Sequence, residues 1–245
     1  MSLVRKIARC LVSGTVRDGT IVDSEFIFDG GRIALDRATM LAPCLPSKII
    51  GVGRNYAEHA AEMNNPLPTE PLLFLKPASA LNHHDGDVVY PAQSRHVDYE
   101  GELAVIIGTA CKNVSRADAS TVILGYTICN DFTARDLQRT DGQWARAKGF
   151  DGFAPLGPCI VTGIDPSSLR VRTYLNGVLK QDGSTSSLIF DIPSLIEYIS
   201  AAFTLEPGDV ITTGTPAGVS PVHLGDVVEV SIDQIGVLRN RIVAP

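Results

Sequence analysis

Three glycine–aspartate turns, each followed by branched aliphatic residues, place the strongest constraint on the fold of this chain. They occur at Gly86-Asp87, Gly208-Asp209 and Gly225-Asp226, and each leads directly into a pair of valine or isoleucine residues. Glycine and aspartate favour turns, whereas β-branched residues favour strands. The pattern therefore predicts short strands joined by tight turns, as in a β-sandwich or a barrel.

The composition agrees with a globular chain and argues against two functional classes. Of 245 residues, 44% are hydrophobic and 20% are charged, and acidic residues outnumber basic ones by 27 to 21. Because the chain has no Lys/Arg-rich run, we expect no nucleic-acid partner. No uncharged apolar stretch approaches about 18 residues, so we expect neither a membrane span nor a signal peptide. Five scattered cysteines without a CxxC pair indicate reduced thiols in a cytoplasmic protein.

A division of the chain is predicted near residue 46. The first segment contains β-like pieces with a hairpin turn at Gly30-Gly31, and Pro43 and Pro46 then precede a change in character. We therefore expect a small β-containing N-terminal domain over residues 1–46 and a larger domain over residues 47–245. The fold class that these patterns predict is α+β and rich in strands.

A short helix is the best helical pattern in the first half of the chain. Asn55 is predicted to cap it, Glu58 completes a capping box, and residues 63–66 end it. The following segment, LLFLKP at residues 72–77, is predicted to form a buried strand.

The segment HVDYEGELAVIIG, residues 96–108, carries the most chemical information. Asp98, Glu100 and Glu102 alternate, so on a strand all three carboxylates point to one face. The apolar run after them indicates that the strand continues into the core. Three negative charges at the start of a buried strand repel one another unless cations compensate them. A divalent cation can do so, and carboxylate oxygens select Mg²⁺, Mn²⁺ or Ca²⁺ over zinc. A solvated strand end facing water is the alternative that the segment leaves open.

A second apolar run ends in Asn130-Asp131. Asp131 follows a strand-like stretch and could supply a third ligand from a neighbouring strand. The alternative is that Asp131 caps the turn that follows it. The residues alone leave both possibilities open.

Six segments in order resemble the fumarylacetoacetate hydrolase family. They are GVGRNYAEHAAEM, PLLFLKP, VDYEGELAVIIG, GYTICNDFTARDLQ, KGFDGFAPLGP and LEPGDVITTGTPAGV, and they extend from about residue 48 to the C-terminus. The resemblance implies a β-sandwich-like roll behind a small N-terminal piece. It also implies a homodimer, the usual assembly of such proteins.

The resemblance assigns a metal site to Glu100, Glu102 and Asp131, in agreement with the alternation of carboxylates. The implied cofactor is Mg²⁺ or Mn²⁺, with Ca²⁺ as a further option. Asp98 shares the face of the two glutamates but is not a ligand in the family pattern. Lys148 matches the active-site lysine, whose ammonium group would balance negative charge and stabilise an enolate.

His59 and Glu62 are three residues apart on the predicted helix and therefore share a face. A carboxylate beside an imidazole orients the ring and raises its basicity, as a general base requires. A surface ion pair is the alternative interpretation. In hydrolytic and decarboxylating relatives the matching pair lies on a lid that orders over the substrate, which favours the catalytic role.

Four further residues are candidates for substrate binding: Arg54, Lys76, Gln138 and Thr215. Arg54 and Gln138 match positions that face the site in relatives. Lys76 ends a strand where an unpaired lysine would be costly, and it resembles a partner of the carboxylates or of the metal shell. The loop at residues 213–218 can present amides and a hydroxyl to an anion, and in the family it holds the substrate carboxylate.

Several other motifs are rejected. Gly51-Val52-Gly53 resembles a dinucleotide-binding fingerprint, but Tyr56 stands where its last glycine should be. His83-His84-Asp85 is interpreted as a polar loop outside the site. GxSxG, P-loop and HExxH motifs do not occur. Only 6% of the residues are aromatic, so we expect no stacking surface for a ring substrate.

The leading functional hypothesis is metal-assisted cleavage of a C–C bond in a small 2-oxo or β-dicarbonyl acid, such as an acylpyruvate. The alternative within the family is a decarboxylase or isomerase that uses the same enolate, acting on oxaloacetate or on acids of the homoprotocatechuate pathway. A hypothesis from another class is a non-catalytic metabolite-binding protein on the same scaffold.

Overall fold

Strands dominate the computed structural model, which describes residues 3–63 and 66–245. The strands in chain order are β1 (Arg5–Val12), β2 (Thr15–Val22), β3 (Glu25–Phe28), β4 (Gly31–Ala34), β5 (Thr39–Leu41), β6 (Ile49–Gly53), β7 (Leu72–Lys76), β8 (Leu81–His83), β9 (Asp87–Val89), β10 (Val97–Asp98), β11 (Gly101–Ile107), β12 (Ile123–Asn130), β13 (Thr133–Ala134), β14 (Ala154–Thr162), β15 (Arg170–Leu175), β16 (Val178–Ser184), β17 (Val210–Thr212), β18 (Val227–Ile232) and β19 (Gly236–Val243). The α-helices are α1 (Ala57–Glu62), α2 (Arg135–Thr140), α3 (Ala145–Gly149) and α4 (Ile192–Ala202). The prediction of a strand-rich α+β fold is confirmed.

The largest sheet runs in the order β4-β3-β2-β1-β14-β12-β11-β17-β6-β7, with β5 paired to β1 and β8 paired to β14. Its central strand β11 pairs antiparallel with both β12 and β17, and every residue of β11 is buried. The expectation that the strand after Glu102 continues into the core is therefore confirmed.

A second sheet, in the order β16-β15-β18-β19-β9, packs against the first. Between them lies a core in which Leu103 and Val105 of β11 meet Val171 of β15 and Val230 of β18. Ile196 of α4 belongs to the same core. Side chains from the two sheets thus pack against each other, as in the β-sandwich that the glycine–aspartate turns predicted as one option.

The first four strands extend the main sheet, because β1 pairs antiparallel with β14 from Arg5 opposite Thr162 onward. Ala8, Cys10 and Phe26 also share the main core with the central strands. The hairpin turn is confirmed, since β3 and β4 pair on either side of Gly30. The domain division near residue 46 stays a prediction.

The three glycine–aspartate turns precede β9, β17 and β18 as predicted. At one of them the aspartate is fully buried: Asp209 accepts hydrogen bonds from the backbone amides of Lys48 (3.1 Å) and Glu206 (2.8 Å). Ser47 Oγ donates to it at 2.6 Å, and the ammonium group of Lys48 pairs with it. Burial raises the pKa of Asp209, but these hydrogen bonds outweigh burial and hold the pKa below its ordinary value.

The predicted cap of the first helix is wrong. Helix α1 exists, but Tyr56 occupies its N-cap position without a side-chain hydrogen bond. The Asn55 side chain instead donates to the carbonyl oxygens of Phe190 (3.0 Å) and Thr213 (2.8 Å), because these long-range partners satisfy the amide better than the local helix end. The helix ends before Met63, and the predicted stop at Asn64-Asn65 lies outside the described residues.

The prediction of a buried strand at residues 72–77 is also wrong in part. Strand β7 forms, but it is the edge of the main sheet, and Leu72 and Leu75 are 36% and 47% exposed. Within β7 only Lys76 is buried. A run of apolar residues predicts that a strand forms. Whether both faces of that strand are buried depends on what packs against the edge of the sheet.

All five cysteines are free thiols, in agreement with the sequence-based expectation. Among the described residues, no helix has the length and hydropathy needed to cross a membrane.

Candidate active site

Strands β11 and β12 bring three carboxylates together. Glu100 directly precedes β11, Glu102 is the second residue of β11, and Asp131 directly follows β12. Because Gly101 pairs with Asn130 across the two strands, these side chains meet at one sheet end. One oxygen from each lies within 4.8 Å of the others, and the residues are 4%, 2% and 0% exposed. We call Glu100, Glu102 and Asp131 the carboxylate floor.

Cationic side chains compensate two of the three carboxylates. Lys148 Nζ donates to Glu100 Oε2 (2.6 Å) and to Asp131 Oδ2 (2.5 Å), and Lys76 pairs with the other oxygen of Asp131. Arg135 Nη2 donates to Glu100 Oε1 at 2.6 Å. Burial raises the pKa of Glu100, but Arg135 and Lys148 outweigh burial and hold the pKa well below its ordinary value.

Glu102 has no such cation. Its Oε2 accepts a hydrogen bond from the Gly214 amide at 2.8 Å, while no described residue donates to its Oε1. Burial, followed by the charges of Asp131 and Glu100, raises the pKa of Glu102 well above its ordinary value. Without a bound cation, the ionised form of Glu102 is therefore disfavoured, because no lysine or arginine of the described residues pairs with it. A buried set of three carboxylates, one of which lacks a cationic partner, fits a divalent cation such as Mg²⁺ or Mn²⁺.

The two lysines reach the floor from separate elements. Lys76 is the last residue of β7, and burial lowers its pKa although Asp131 opposes the shift. Lys148 lies near the end of α3, with its ammonium 4.6 Å from the centre of the Phe74 ring. Burial lowers the pKa of Lys148, but the charges of Asp131 and Glu100 outweigh burial and raise it overall. Lys148 therefore stays a cation at the site.

The expectation that Asp98, Glu100 and Glu102 share one strand is wrong, because Asp98 ends β10 and the chain leaves the strand before β11 begins at Gly101. Asp98 is not part of the floor. Its carboxylate accepts from Arg135 Nε at 2.7 Å and lies 2.9 Å from His96 Nε2. Arg135 thus ties Asp98 to Glu100. Asp98 supports the arginine that contacts the floor, which agrees with its exclusion from the predicted ligand set.

Helix α1 covers the floor and is called the roof below. His59 is buried, with Nδ1 at 3.2 Å from Glu62 Oε2 and Nε2 at 3.7 Å from Glu100 Oε1. Glu62 also accepts hydrogen bonds from the Gly218 amide at 3.0 and 3.2 Å. Because a carboxylate only accepts, the His59 proton belongs on Nδ1, which leaves Nε2 with a free lone pair in the neutral ring. The pair is therefore not an isolated surface ion pair.

One cavity of about 330 Å³ separates the roof from the floor. Most of the predicted site residues line it: Arg54, His59, Glu100, Glu102, Asp131, Gln138, Lys148 and Thr215. Lys76 and Glu62 lie behind this lining, where they hold Asp131 and His59. His83, His84 and Asp85 lie elsewhere, where Asp85 pairs with Arg239 (2.6 Å), so the structure agrees that they are outside the site.

Sequence reasoning missed several residues that line the cavity, among them Arg135, Phe74 and Trp144. Arg135 could have been found, because it stands three residues before Gln138 on a helix and donates to that side chain at 3.0 Å. Phe74 and Trp144 form an aromatic wall with ring centres 5.6 Å apart. These two aromatic residues converge at the cavity from distant parts of the chain, which the low aromatic content did not indicate.

The chain matches a known family and known proteins over most of its length. The family described as fumarylacetoacetate (FAA) hydrolase C-terminal matches residues 48–243. The chain belongs to the fumarylacetoacetate hydrolase family. It is 51% identical to a protein of Archaeoglobus fulgidus over 239 residues, which covers 97% of this chain and 96% of that protein.

Two solved structures of the family give further points of comparison. A 5-carboxymethyl-2-hydroxymuconate delta-isomerase from Mycobacterium smegmatis is 46% identical with a TM-score of 0.92, over 98% of this chain and 99% of that one. A maleylpyruvate hydrolase from Sphingobium, in complex with manganese(II) and pyruvate, is 33% identical with a TM-score of 0.83, over 98% and 99% of the two chains. Fumarylacetoacetate hydrolase family members thus include both hydrolases and isomerases.

Proposed function

We propose that this protein is a metal-dependent hydrolase that cleaves a C–C bond in a small β-dicarbonyl acid of the acylpyruvate type. The observation that carries the proposal is the placement of a buried histidine base opposite the carboxylate floor across one small cavity. The residues to which the proposal assigns the cation, the base and the fixed positive charge all line that cavity: Glu100, Glu102, Asp131, His59 and Lys148.

Glu100, Glu102 and Asp131 would hold the cation, and the uncompensated Glu102 explains why a further positive charge is favoured there. The bound cation would supply Lewis-acid stabilisation of negative charge on a 2-oxo acid. The manganese and pyruvate bound by the Sphingobium relative support this choice of metal and of substrate end.

In this proposal His59 acts as the general base. In the proposed reaction its Nε2 takes a proton from water, and Glu62 stabilises the resulting imidazolium through Nδ1. The water oxygen bonds to the distal carbonyl carbon, and the adjacent C–C bond breaks. Its electron pair passes to the 2-oxo acid fragment as an enolate, and proton return gives a shorter acid and a pyruvate-type acid. Lys148 is placed to stabilise the enolate charge.

An isomerase or decarboxylase is the second candidate. It is favoured by the Mycobacterium smegmatis relative, which is closer in sequence than the maleylpyruvate hydrolase. The same floor and the same lysine would stabilise an enolate in either reaction, so the two candidates differ in the bond that breaks and in the role of water.

A product assay separates the two candidates. The purified protein is incubated with Mg²⁺ or Mn²⁺ and either acylpyruvates or oxaloacetate, and products are separated by chromatography and identified by mass and by NMR. A pair of shorter acids from acylpyruvates supports the hydrolase. Release of CO₂, or an isomer of unchanged mass, would contradict it and support the second candidate, whereas no turnover with metal bound would favour a non-catalytic metabolite-binding protein.

Lys148→Met provides a matched variant for this assay. Removal of the ammonium group should lower turnover by roughly 100-fold or more, because a fixed charge at the developing enolate is lost. Mn²⁺ affinity should not fall, because Lys148 and the metal compete for the same two carboxylates.

A homodimer in the cytoplasm remains part of the proposal, to be tested by light scattering and by fractionation.

A further inference from the structure

Gln181 links the metal-binding strand to the loop that carries Thr215, although it lies far from both in sequence. It belongs to β16, at the edge of the second sheet, and of the seven residues of β16 only Gln181 is buried. Its neighbours Val178 and Leu179 are exposed, so this strand turns an amide inward and apolar groups outward. Burial of a polar amide costs free energy unless each of its hydrogen-bonding groups has a partner.

Every hydrogen-bonding group of the Gln181 amide is paired. Its Oε1 accepts from the Gly101 backbone amide at 3.1 Å, between Glu100 and Glu102. Its Nε2 donates to the Pro216 carbonyl oxygen at 2.7 Å and to Thr215 Oγ1 at 2.7 Å. Because a backbone amide only donates and a carbonyl only accepts, the orientation of the Gln181 amide is unambiguous.

This orientation determines what the Thr215 hydroxyl can do. Thr215 Oγ1 must accept from Gln181, so its own hydrogen is directed elsewhere, and it now points to the Gly101 carbonyl oxygen at 2.9 Å. Thr215 lines the cavity, so the same hydrogen can turn to an anionic oxygen of a bound molecule. A hydroxyl that must donate is suited to a carboxylate, which only accepts.

The loop is also pressed against β16 by close packing. A Cβ atom at Gly218 would lie 2.1 Å from the Lys180 carbonyl oxygen, and one at Gly183 would lie 2.5 Å from Pro216 Cβ. The loop and β16 therefore approach each other more closely than a side chain at either glycine would allow. Gln181 and Thr215 both bond to Gly101, the residue between Glu100 and Glu102 of the floor.

We infer that Gln181 is a positioning residue that makes the Thr215 hydroxyl a hydrogen-bond donor toward the substrate carboxylate. The inference rests on the proposed function, since it takes Thr215 as a contact of an anionic substrate. It adds a residue from the second sheet that touches neither substrate nor metal and acts through Thr215.

A double-mutant cycle tests the inference by binding rather than by turnover. Pyruvate affinity is measured by calorimetry on the Mn²⁺-loaded full-length protein for the wild type, Gln181→Met, Thr215→Val and the double variant. Each single change should weaken pyruvate binding roughly ten-fold, because one hydrogen bond to a charged group is lost. The double variant should bind no more weakly than Thr215→Val, because the two residues act through one hydroxyl.

Three results would overturn the inference. One is wild-type pyruvate affinity in either single variant, and another is multiplication of the two effects in the double variant. The third is a parallel loss of affinity for Mn²⁺ alone in Gln181→Met, which would show that the residue acts on the floor through Gly101 instead. If Gln181→Met does not fold, Gln181→Glu keeps its shape and its acceptor for Gly101 and is carried through the same cycle.

Asn240 provides a matched control for removal of a buried amide. Its Nδ2 donates to the carbonyl oxygens of His83 (2.9 Å) and Gly86 (2.7 Å), away from the cavity. Asn240→Leu should lower the melting temperature and leave pyruvate affinity unchanged, and a loss of affinity here would overturn the assignment to Gln181. If the four proteins show the expected pyruvate affinities but the wild type turns over no acylpyruvate, the proposed function is contradicted and the role of Gln181 is not.

Discussion

The carboxylate floor stands on strands that are paired on both sides, whereas the roof is a helix of six residues. Strand β11 lies between β12 and β17, and its side chains are buried throughout. Helix α1 has no side-chain cap, and its Glu62 is held by the Gly218 amide and by His59. The floor is therefore fixed by the sheet before any ligand arrives, while the roof depends on a few hydrogen bonds. We expect metal affinity and turnover to respond to separate mutations.

The largest effect is expected from Glu102→Gln in the floor. Mn²⁺ affinity should fall by roughly 100-fold or more, since changes in the groups around a ligand already cost 10–100-fold. The metal-free protein should be no less stable, because glutamine is neutral and avoids the burial penalty and the repulsion by Asp131 and Glu100 that disfavour an ionised Glu102. Calorimetric titration with Mn²⁺ and a thermal melt measure the two quantities.

Asp87→Asn is the matched control, because Asp87 is an exposed carboxylate that starts a strand after a glycine–aspartate turn. It should bind Mn²⁺ like the wild type. Wild-type affinity in Glu102→Gln as well would show that the floor does not hold the metal.

The next effect is expected from His59→Gln in the roof. Turnover should fall by roughly 100- to 10,000-fold, because the side chain that accepts the proton is lost. Mn²⁺ affinity should stay within about two-fold, because His59 Nε2 is 3.7 Å from Glu100 and bonds to no other floor residue. A joint fall of turnover and metal affinity would show that roof and floor are a single unit.

The smallest effect on the site is expected from Asp209→Asn, which weakens the support of the floor. Asp209 fixes the start of β17, the strand next to β11. Loss of its ionic and backbone hydrogen bonds should lower the free energy of unfolding by about 2 kcal/mol and the melting temperature by roughly 4–8 °C. Mn²⁺ should still bind to the folded variant.

The pH dependence of the melting temperature checks this assignment. The pKa of Asp209 is lower in the folded state, so its stabilisation is present above about pH 4 and is lost as the pH falls through the folded-state pKa. The difference between wild type and Asp209→Asn should therefore shrink on acidification below pH ~4. If the difference in melting temperature is the same at all pH values, the loss of stability comes from altered packing and not from the lost charge.

Local patterns predicted the elements that they control directly. The glycine–aspartate turns depend on residues that are adjacent in sequence, so their strands were predicted correctly. The two-residue spacing of Glu100 and Glu102 also survives folding, since both side chains reach the same cavity. The role of Asn55 could not be predicted, because its partners at Phe190 and Thr213 lie more than a hundred residues away.

The sequence by itself determined a strand-rich fold, the turns that start its strands, and the carboxylates and histidine of the proposed metal-assisted site. Tertiary structure alone decided that Lys148 and Arg135 compensate Glu100 while Glu102 stays uncompensated, and that Gln181 orients Thr215. The physical reason is range. Turn and strand preferences act between neighbours in the chain, whereas charge compensation and hydrogen-bond direction depend on which distant groups the packed sheets bring within 3 Å or so of each other.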